Sequence, residues 1–159
     1  MASRLAAEGF VALAPDLFGG ATTHDADEAA KLMQELPMQR AARDLGGAVD
    51  YLLGHDAVTS STIGAVGFCM GGGFVLVLAA QQGDKIGAAV TFYGVLGGPY
   101  PSFVHLCAPL LGRAQARFPL LSGGARVLQR SEPARHQAAK AWDTTVSFLR
   151  QQLAAPQHG

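Results

Sequence analysis

One cysteine lies in a glycine-rich stretch whose residue types suit nucleophilic chemistry. Residues 67–71 read Gly-Phe-Cys-Met-Gly, with Cys69 at the centre. The apolar run 62–68 predicts a buried strand, and the apolar run 74–80 predicts a buried helix. Gly-x-Cys-x-Gly between a strand and a helix is typical of a nucleophile elbow, a sharp turn that presents a nucleophilic side chain. The glycines let strand and helix approach closely while the turn imposes strained backbone angles on Cys69.

Two other interpretations of Cys69 stay open at this point. Free cysteine often behaves as a small core hydrophobe, so Cys69 could simply pack in a helix contact. A lone thiol at a helix N-terminus could also act as an oxidation sensor, with Cys107 as its resolving partner. Nothing in the sequence brings Cys69 and Cys107 together.

The composition predicts one folded domain over residues 1–159 and excludes several classes of function. The chain is 49% hydrophobic, 15% charged and has a net charge of zero, which gives no indication of binding to nucleic acid or an anionic membrane. No apolar run approaches roughly 18 residues, and no secretory pattern is present, so we expect no membrane span or leader. Two cysteines make neither a disulfide framework nor a metal cluster. We therefore expect a cytoplasmic protein without a metal or other cofactor.

The remaining chain alternates between strand and helix patterns. Four strands are predicted, over residues 10–14, 62–68, 86–92 and 108–111. Five helices are predicted: the first ends at Gly9, and the second runs from a capping box at Asp25 and Glu28 to Leu36. The other three begin at Pro37, just after Cys69 and near Pro133. This alternation predicts an α/β fold with a mostly parallel sheet and helices on both faces.

Four blocks in this order carry a resemblance to a known family: residues 5–20, 64–73, 92–95 and 142–149. Together they resemble the dienelactone hydrolase (carboxymethylenebutenolidase) family of cysteine α/β hydrolases, over about residues 2–112 and 131–153. The resemblance implies a truncated α/β-hydrolase-like fold.

The same resemblance implies a reaction and two site residues. Cys69 matches the family's nucleophile, and the backbone N–H of Met70 matches one oxyanion donor. The reaction would transfer an acyl group from a small-molecule ester or lactone to the thiol, followed by hydrolysis of the thioester. Such chemistry requires a base near the sulfur and an acid that orients the base.

The family's acid and base are not found at the matching positions. No Asp or Glu lies between Asp84 and Glu132, and Arg126 stands near the expected histidine. Arginine stays protonated and cannot act as a general base. His105 and His136 are the nearest imidazoles, and neither matches the family motif. We therefore expect little or no lactone hydrolysis from this chain, and a catalytically inactive interaction or regulatory domain is the alternative function.

Two regions depart from the family's pattern. Residues 113–130 are basic and contain no acidic residue, and a change of reading frame would explain this composition. The resemblance also implies a central strand before Ser3, normally placed between the strands matching residues 10–14 and 62–68, whose loop supplies a Glu and the second oxyanion N–H. Without that strand we expect an exposed sheet edge and self-association through it.

Overall fold

The computed structural model describes residues 1–94, 109–113 and 132–154. Within these residues five α-helices, one short 3-10 helix (Gly83–Lys85) and three strands are assigned. In chain order the α-helices and strands are α1 (Ala2–Ala7), α2 (Ala26–Glu35), α3 (Met38–Leu53), β1 (Ile63–Phe68), α4 (Met70–Gln82), β2 (Ile86–Phe92), β3 (Leu110–Arg113) and α5 (Glu132–Leu153).

The three described strands form one parallel sheet in the order β1-β2-β3. β1 pairs with β2 from Gly64, opposite Ala88, to Phe68, opposite Phe92, with a register shift after Ile63. Parallel strands buried on both faces are continuous apolar runs, and β2 accordingly has fully buried residues that include Val90. The carboxyl ends of β1 and β2 therefore lie side by side.

Helices cover both faces of the sheet and define two apolar clusters. On one face α3 and α4 pack against the strands, with Val49, Val75 and Ala79 in the core. On the other face Leu149 of α5 packs with Ala88 and Val90, and Leu5 of α1 lies against this cluster. This arrangement confirms the predicted α/β class with helices on both sides of a parallel sheet.

The helix starts follow the signals in the sequence. Asp25 caps α2 by accepting a hydrogen bond from the Glu28 N–H at 2.8 Å, as the capping-box pattern predicts. In a capping box the Glu28 carboxylate would accept the Asp25 N–H. Here the Asp25 N–H donates to the Thr23 hydroxyl at 3.1 Å, and that hydroxyl donates to the Glu28 carboxylate. Pro37 is the N-cap of α3, one residue outside the helix.

The strand predicted for residues 10–14 is wrong. These residues are part of the described chain, and they carry no strand or sheet pairing. Their composition suits a strand, but a strand requires a neighbour for its backbone groups. A cavity of about 1060 Å³ is lined by this segment, by β1 and by residues of α3, α4 and α5. We call this cavity the strand gap.

Contacts between α1 and α5 hold the N-terminal segment in place beside the strand gap. The Arg150 guanidinium lies 2.9 Å from the Glu8 carboxylate and also donates to the Glu8 carbonyl at 2.9 Å. The Trp142 indole N–H donates to Glu8 at 3.3 Å, and the Arg4 guanidinium lies 4.1 Å from the centre of the Trp142 ring. We call this set of four residues the Glu8 clasp.

At the other end of the same segment, Asp16 organises a tight turn. Its carboxylate accepts the N–H of Phe18 at 2.9 Å and the N–H of Gly20. Gly19 and Gly20 have φ of +64° and +85°, values that glycine adopts without steric cost. The hydrogen bonds from Phe18 and Gly20 lower the pKa of Asp16 below its usual value of 3.8.

We expect the Asp16 carboxyl to titrate below pH 3.8 in the folded protein. Because its folded pKa is lowered, the carboxylate stabilises the native state above the unfolded pKa, and this contribution is lost as the pH falls through the folded pKa. Following the side-chain carboxyl carbon by NMR during an acid titration measures this directly. A midpoint at or above 3.8 contradicts the turn geometry, and Asp16→Asn serves as the control that removes the titration.

Candidate active site

Cys69 occupies the turn between β1 and α4 with an unusual backbone conformation. Its φ is +52° and its ψ is −124°, a region that side chains with a Cβ rarely adopt. The Cys69 N–H donates to the Phe92 carbonyl at 3.0 Å, which ties the turn to the end of β2. The Cys69 side chain is exposed. The turn therefore presents a thiol to solvent at the carboxyl edge of the sheet.

Close backbone packing between β1 and α4 requires the glycine before this turn. A Cβ added at Gly67 would lie 2.1 Å from the Gly71 carbonyl oxygen and 2.7 Å from the Gly72 nitrogen. Gly71 differs, because a Cβ there would meet no atom within 4 Å. The two glycines of the Gly-x-Cys-x-Gly motif thus have different physical roles, and only Gly67 is required by packing.

A second close contact joins the start of α4 to the end of β2. The Thr91 hydroxyl donates to the Gly72 carbonyl at 3.0 Å. A Cβ at Gly72 would lie 2.7 Å from the Thr91 hydroxyl oxygen, and a Cβ at Gly94 would lie 2.8 Å from the Gly72 carbonyl carbon. Sequence reasoning did not assign Thr91 or Gly94 to the site. The β1–β2 register would have placed Thr91 there, because Gly67 pairs with Thr91, and Gly94 follows three residues later in the chain.

The start of α4 presents backbone donors next to the thiol. The Gly73 N–H donates to the Cys69 carbonyl at 3.1 Å and makes the first bond of the helix. The N–H groups of the three preceding residues, Met70 included, therefore have no acceptor within the helix. Free N–H groups at a helix N-terminus favour a negatively charged oxygen. The Met70 N–H is the donor nearest in sequence to the thiol.

Three aromatic side chains lie beside the turn. The rings of Phe68 and Phe92 stack with centroids 4.7 Å apart, and the Tyr93 ring lies 6.4 Å from Phe68. Phe68 and Tyr93 are 36% and 43% exposed, and Tyr93 has a positive φ of +41°. These rings give the surface next to Cys69 an apolar, aromatic character that the sequence motif did not reveal.

The structure places the Cys69 thiol beside the start of α4, where Met70 lies. Among the described side chains, no acid or base contacts the thiol. No hydrogen bond joins the Cys69 sulfur to a His, Asp or Glu side chain in residues 1–94, 109–111 or 137–154. His55 precedes β1 in the chain, whereas Cys69 follows it, and the His55 ring accepts the Ala57 N–H.

Several sequence predictions fall outside the described residues. His105, Cys107, Arg126 and nearly all of the atypical segment 113–130 lie there. The backbone of His136 belongs to α5, and its side chain is not described. The expectation that no residue replaces the family's acid and base stays a prediction, and the alternative Cys69–Cys107 redox pair stays untested.

The described part of the chain contains neither a metal-binding cluster nor a membrane helix. It holds no group of three or more His, Cys, Asp or Glu residues that could ligate a metal ion. None of the helices in the described ranges has the length and apolar character needed to cross a membrane.

A parallel sheet with helices on both faces and a positive-φ residue at the strand-to-helix turn defines an α/β-hydrolase-like protein. A sequence model of the dienelactone hydrolase family matches residues 1–126. The chain therefore belongs to the dienelactone hydrolase family, as the four sequence blocks predicted.

Two of the three curated relatives described next have names consistent with this family. The chain is 32% identical over 120 residues to a probable 2-oxo-3-(5-oxofuran-2-ylidene)propanoate lactonase of Bradyrhizobium sp, covering 74% of this chain and 48% of the relative. It is 32% identical over 102 residues to carboxymethylenebutenolidase of Pseudomonas putida, a match that covers 58% of this chain and 42% of the relative. It is 36% identical over 95 residues to Protein usf of Aquifex pyrophilus, a match that covers 58% of this chain and 41% of the relative. The chain spans less than half the length of these relatives.

The two glycines of the motif provide a matched test of the turn. We expect Gly67→Ala to destabilise the protein by about 3 kcal/mol or more, because its methyl group would collide with rigid backbone. Gly71→Ala should be neutral or stabilising by up to about 1 kcal/mol, since alanine favours a helix and the site has room. Urea denaturation of both variants measures the difference. Equal stabilities would contradict the close β1–α4 approach.

Proposed function

We propose that Cys69 is the nucleophile of an acyl-transfer reaction on small-molecule esters or lactones, and that this chain carries out that reaction weakly. The supporting observation is the backbone of Cys69, whose positive φ at the end of β1 exposes the thiol beside the unbonded N-terminus of α4. Membership of the dienelactone hydrolase family and the lactonase name of one relative support the substrate class.

In the proposed reaction the sulfur of Cys69 attacks the carbonyl carbon of the ester. A carbon–sulfur bond forms, and the carbonyl electron pair moves to the oxygen, which accepts a hydrogen bond from the Met70 N–H. Collapse of this intermediate breaks the bond to the alcohol, which leaves with the thiol proton, and a thioester remains on Cys69. Water then cleaves the thioester, releases the acid and returns a proton to the sulfur.

The second half of this reaction should be the slower one. Deprotonation of the thiol and activation of water both need a base, and the described side chains supply none to Cys69. Loss of triad partners costs several orders of magnitude in rate. A reactive thiol also requires a reducing compartment, so we propose a cytoplasmic site of action.

We expect an activated ester such as p-nitrophenyl acetate to acylate Cys69 slowly and then stall. Rapid-mixing absorbance should show release of no more than about one nitrophenol per chain before the rate falls. Intact mass spectrometry should show one added acetyl group. Cys69→Ala should abolish both the nitrophenol release and the added acetyl group. Cys107→Ala should retain both, and this control excludes acylation at the second cysteine.

Two results would overturn this proposal in different ways. Continuous turnover that depends on Cys69 and follows a histidine-like ionisation would show that a base is present and that the chain is a competent hydrolase. Acylation that is unchanged in Cys69→Ala would remove Cys69 from the reaction.

The interaction-domain alternative has one observation in its favour, the uncovered edge of β1. Within the described sheet β1 pairs with β2 alone, although its sequence is that of a strand buried among neighbours. If Cys69 does not react with esters and the chain forms a stable oligomer, the interaction-domain function is favoured.

A further inference from the structure

A side-chain hydroxyl ties the first turn of α4 to the end of β2. The Thr91 hydroxyl donates to the Gly72 carbonyl at 3.0 Å, and this bond is partly buried. Thr91 is the register partner of Gly67, the glycine whose Cα lies against the start of α4. The Gly-x-Cys-x-Gly motif does not include Thr91, so the hydroxyl is a polar group at the elbow without an assigned role.

The Gly72 carbonyl does not depend on this hydroxyl for its own hydrogen bonding. Gly72 lies inside α4, where the helical pattern gives its carbonyl the Leu76 N–H as a donor. A carbonyl oxygen has two lone pairs and can accept a second bond. The Thr91 bond is therefore an addition, and removing the hydroxyl leaves the carbonyl with its helical partner.

A second hydrogen bond continues from the same peptide group toward the nucleophile. The Gly72 carbonyl and the Gly73 N–H belong to one planar peptide unit, and that N–H donates to the Cys69 carbonyl at 3.1 Å. The Cys69 carbonyl and the Met70 N–H belong to another single peptide unit. Two hydrogen bonds and two peptide units thus connect Thr91 to the Met70 N–H, and we call this series the Thr91 network.

Both bonds of the Thr91 network are oriented to make the Met70 N–H a stronger donor. A bond accepted by the carbonyl of a peptide group draws electron density toward the oxygen and leaves the N–H of that group more positive. Successive bonds in such a series strengthen one another by roughly 10–30% per bond, most effectively in a partly buried setting. The Met70 N–H has no acceptor within the helix, so its added strength is available to a substrate oxygen.

The backbone around the hydroxyl restricts where it can lie. A Cβ at Gly72 or at Gly94 would lie 2.7 Å from the Thr91 hydroxyl oxygen, so backbone approaches it closely from two directions. On the other side of the turn, the Cys69 N–H donates to the Phe92 carbonyl at 3.0 Å. The end of β2 therefore holds the turn before the Met70 N–H and the helix after it.

We propose that Thr91 is a positioning residue for acyl transfer at Cys69: its hydroxyl orients and polarises the Met70 N–H that stabilises the oxyanion. This role rests on the proposed function of Cys69. Thr91 acts through the two peptide units and not on the sulfur. Its effect is therefore specific to reactions in which a carbonyl oxygen gains negative charge.

Two reactions of the same sulfur separate this role from a purely structural one. In a Cys107→Ala background, Thr91→Val keeps the shape of the side chain and removes the hydroxyl. Loss of a whole oxyanion donor costs about 10²–10³ in rate, so weakening one should slow acylation by p-nitrophenyl acetate about threefold to tenfold. Iodoacetamide alkylates the sulfur without forming an oxyanion, and its rate should stay within about twofold of wild type.

Two further variants serve as controls. Thr91→Ser keeps the hydroxyl and should restore acylation to within about twofold of wild type. Thr145→Val is the matched control, because the Thr145 hydroxyl also donates to a helix carbonyl, that of Ala141, at 2.8 Å on α5. It should leave both acylation and alkylation unchanged.

Amide proton chemical shifts test the Thr91 network without any ester. Weaker hydrogen bonding moves an amide proton signal upfield. Thr91→Val should therefore move the Gly73 and Met70 amide signals upfield in a proton–nitrogen correlation spectrum. Thr91→Ser and Thr145→Val should leave these two signals close to their wild-type positions.

The possible failures are distinguishable. If Thr91→Val acylates at the wild-type rate, or slows alkylation as much as acylation, the positioning role is wrong while the function of Cys69 stands. If Thr91→Val moves neither amide signal, the Thr91 network does not exist. If Cys69→Ala acylates as fast as wild type, the proposed function is wrong, and the role of Thr91 in that reaction is wrong with it.

Discussion

The close approach of β1 to α4 at Gly67 is the constraint on which the site depends. A Cβ at residue 67 would lie only 2.1 Å from the Gly71 carbonyl oxygen, so only glycine fits there. The turn that follows bends sharply and places Cys69 at positive φ. The same contact brings the helix N-terminus beside the thiol and Phe92 within reach of the Cys69 N–H. The position of the nucleophile is therefore set by backbone packing, before any side-chain interaction is considered.

The structure divides into a well-packed side and an open side. Around β2 both faces are closed, and Ala88, Ala89 and Val90 are fully buried. Around β1 the sheet ends at the strand gap, and Gly64, Ala65 and Val66 are only partly buried. The Glu8 clasp joins the end of α1 to α5 next to this open side. The elbow thus stands at the boundary between a closed core and an open edge.

Much of the fold could be predicted from local sequence patterns. The capping box at Asp25, the helix start at Pro37 and the apolar runs of β1 and β2 depend on residues near one another in the chain, and the structure follows them. The strand predicted for residues 10–14 failed because a strand is defined by its neighbour, and composition does not report whether that neighbour is present.

The site was predictable only in part for a related reason. Gly-x-Cys-x-Gly identified the turn and its helix, since the motif is local. The contribution of Thr91 comes from the register between β1 and β2, which pairs it with Gly67, 24 positions away. Tyr93 and Gly94 directly follow β2 and reach the site with it. The family's acid and base are likewise distant in sequence, and the segments that would carry them match no motif.

The Glu8 clasp has a consequence for the order in which the chain acquires its structure. It joins residues separated by 134 and 142 positions, whereas the β1–α4–β2 unit closes over some 30 residues of continuous sequence. Contacts between distant residues form late because ordering the intervening chain costs entropy. On the ribosome the elbow can therefore form while α1 and residues 10–14 remain unanchored, until α5 has emerged. During that interval the unpaired edge of β1 and the apolar residues 10–14 are both exposed, which makes this the period of greatest exposure to misassembly during synthesis.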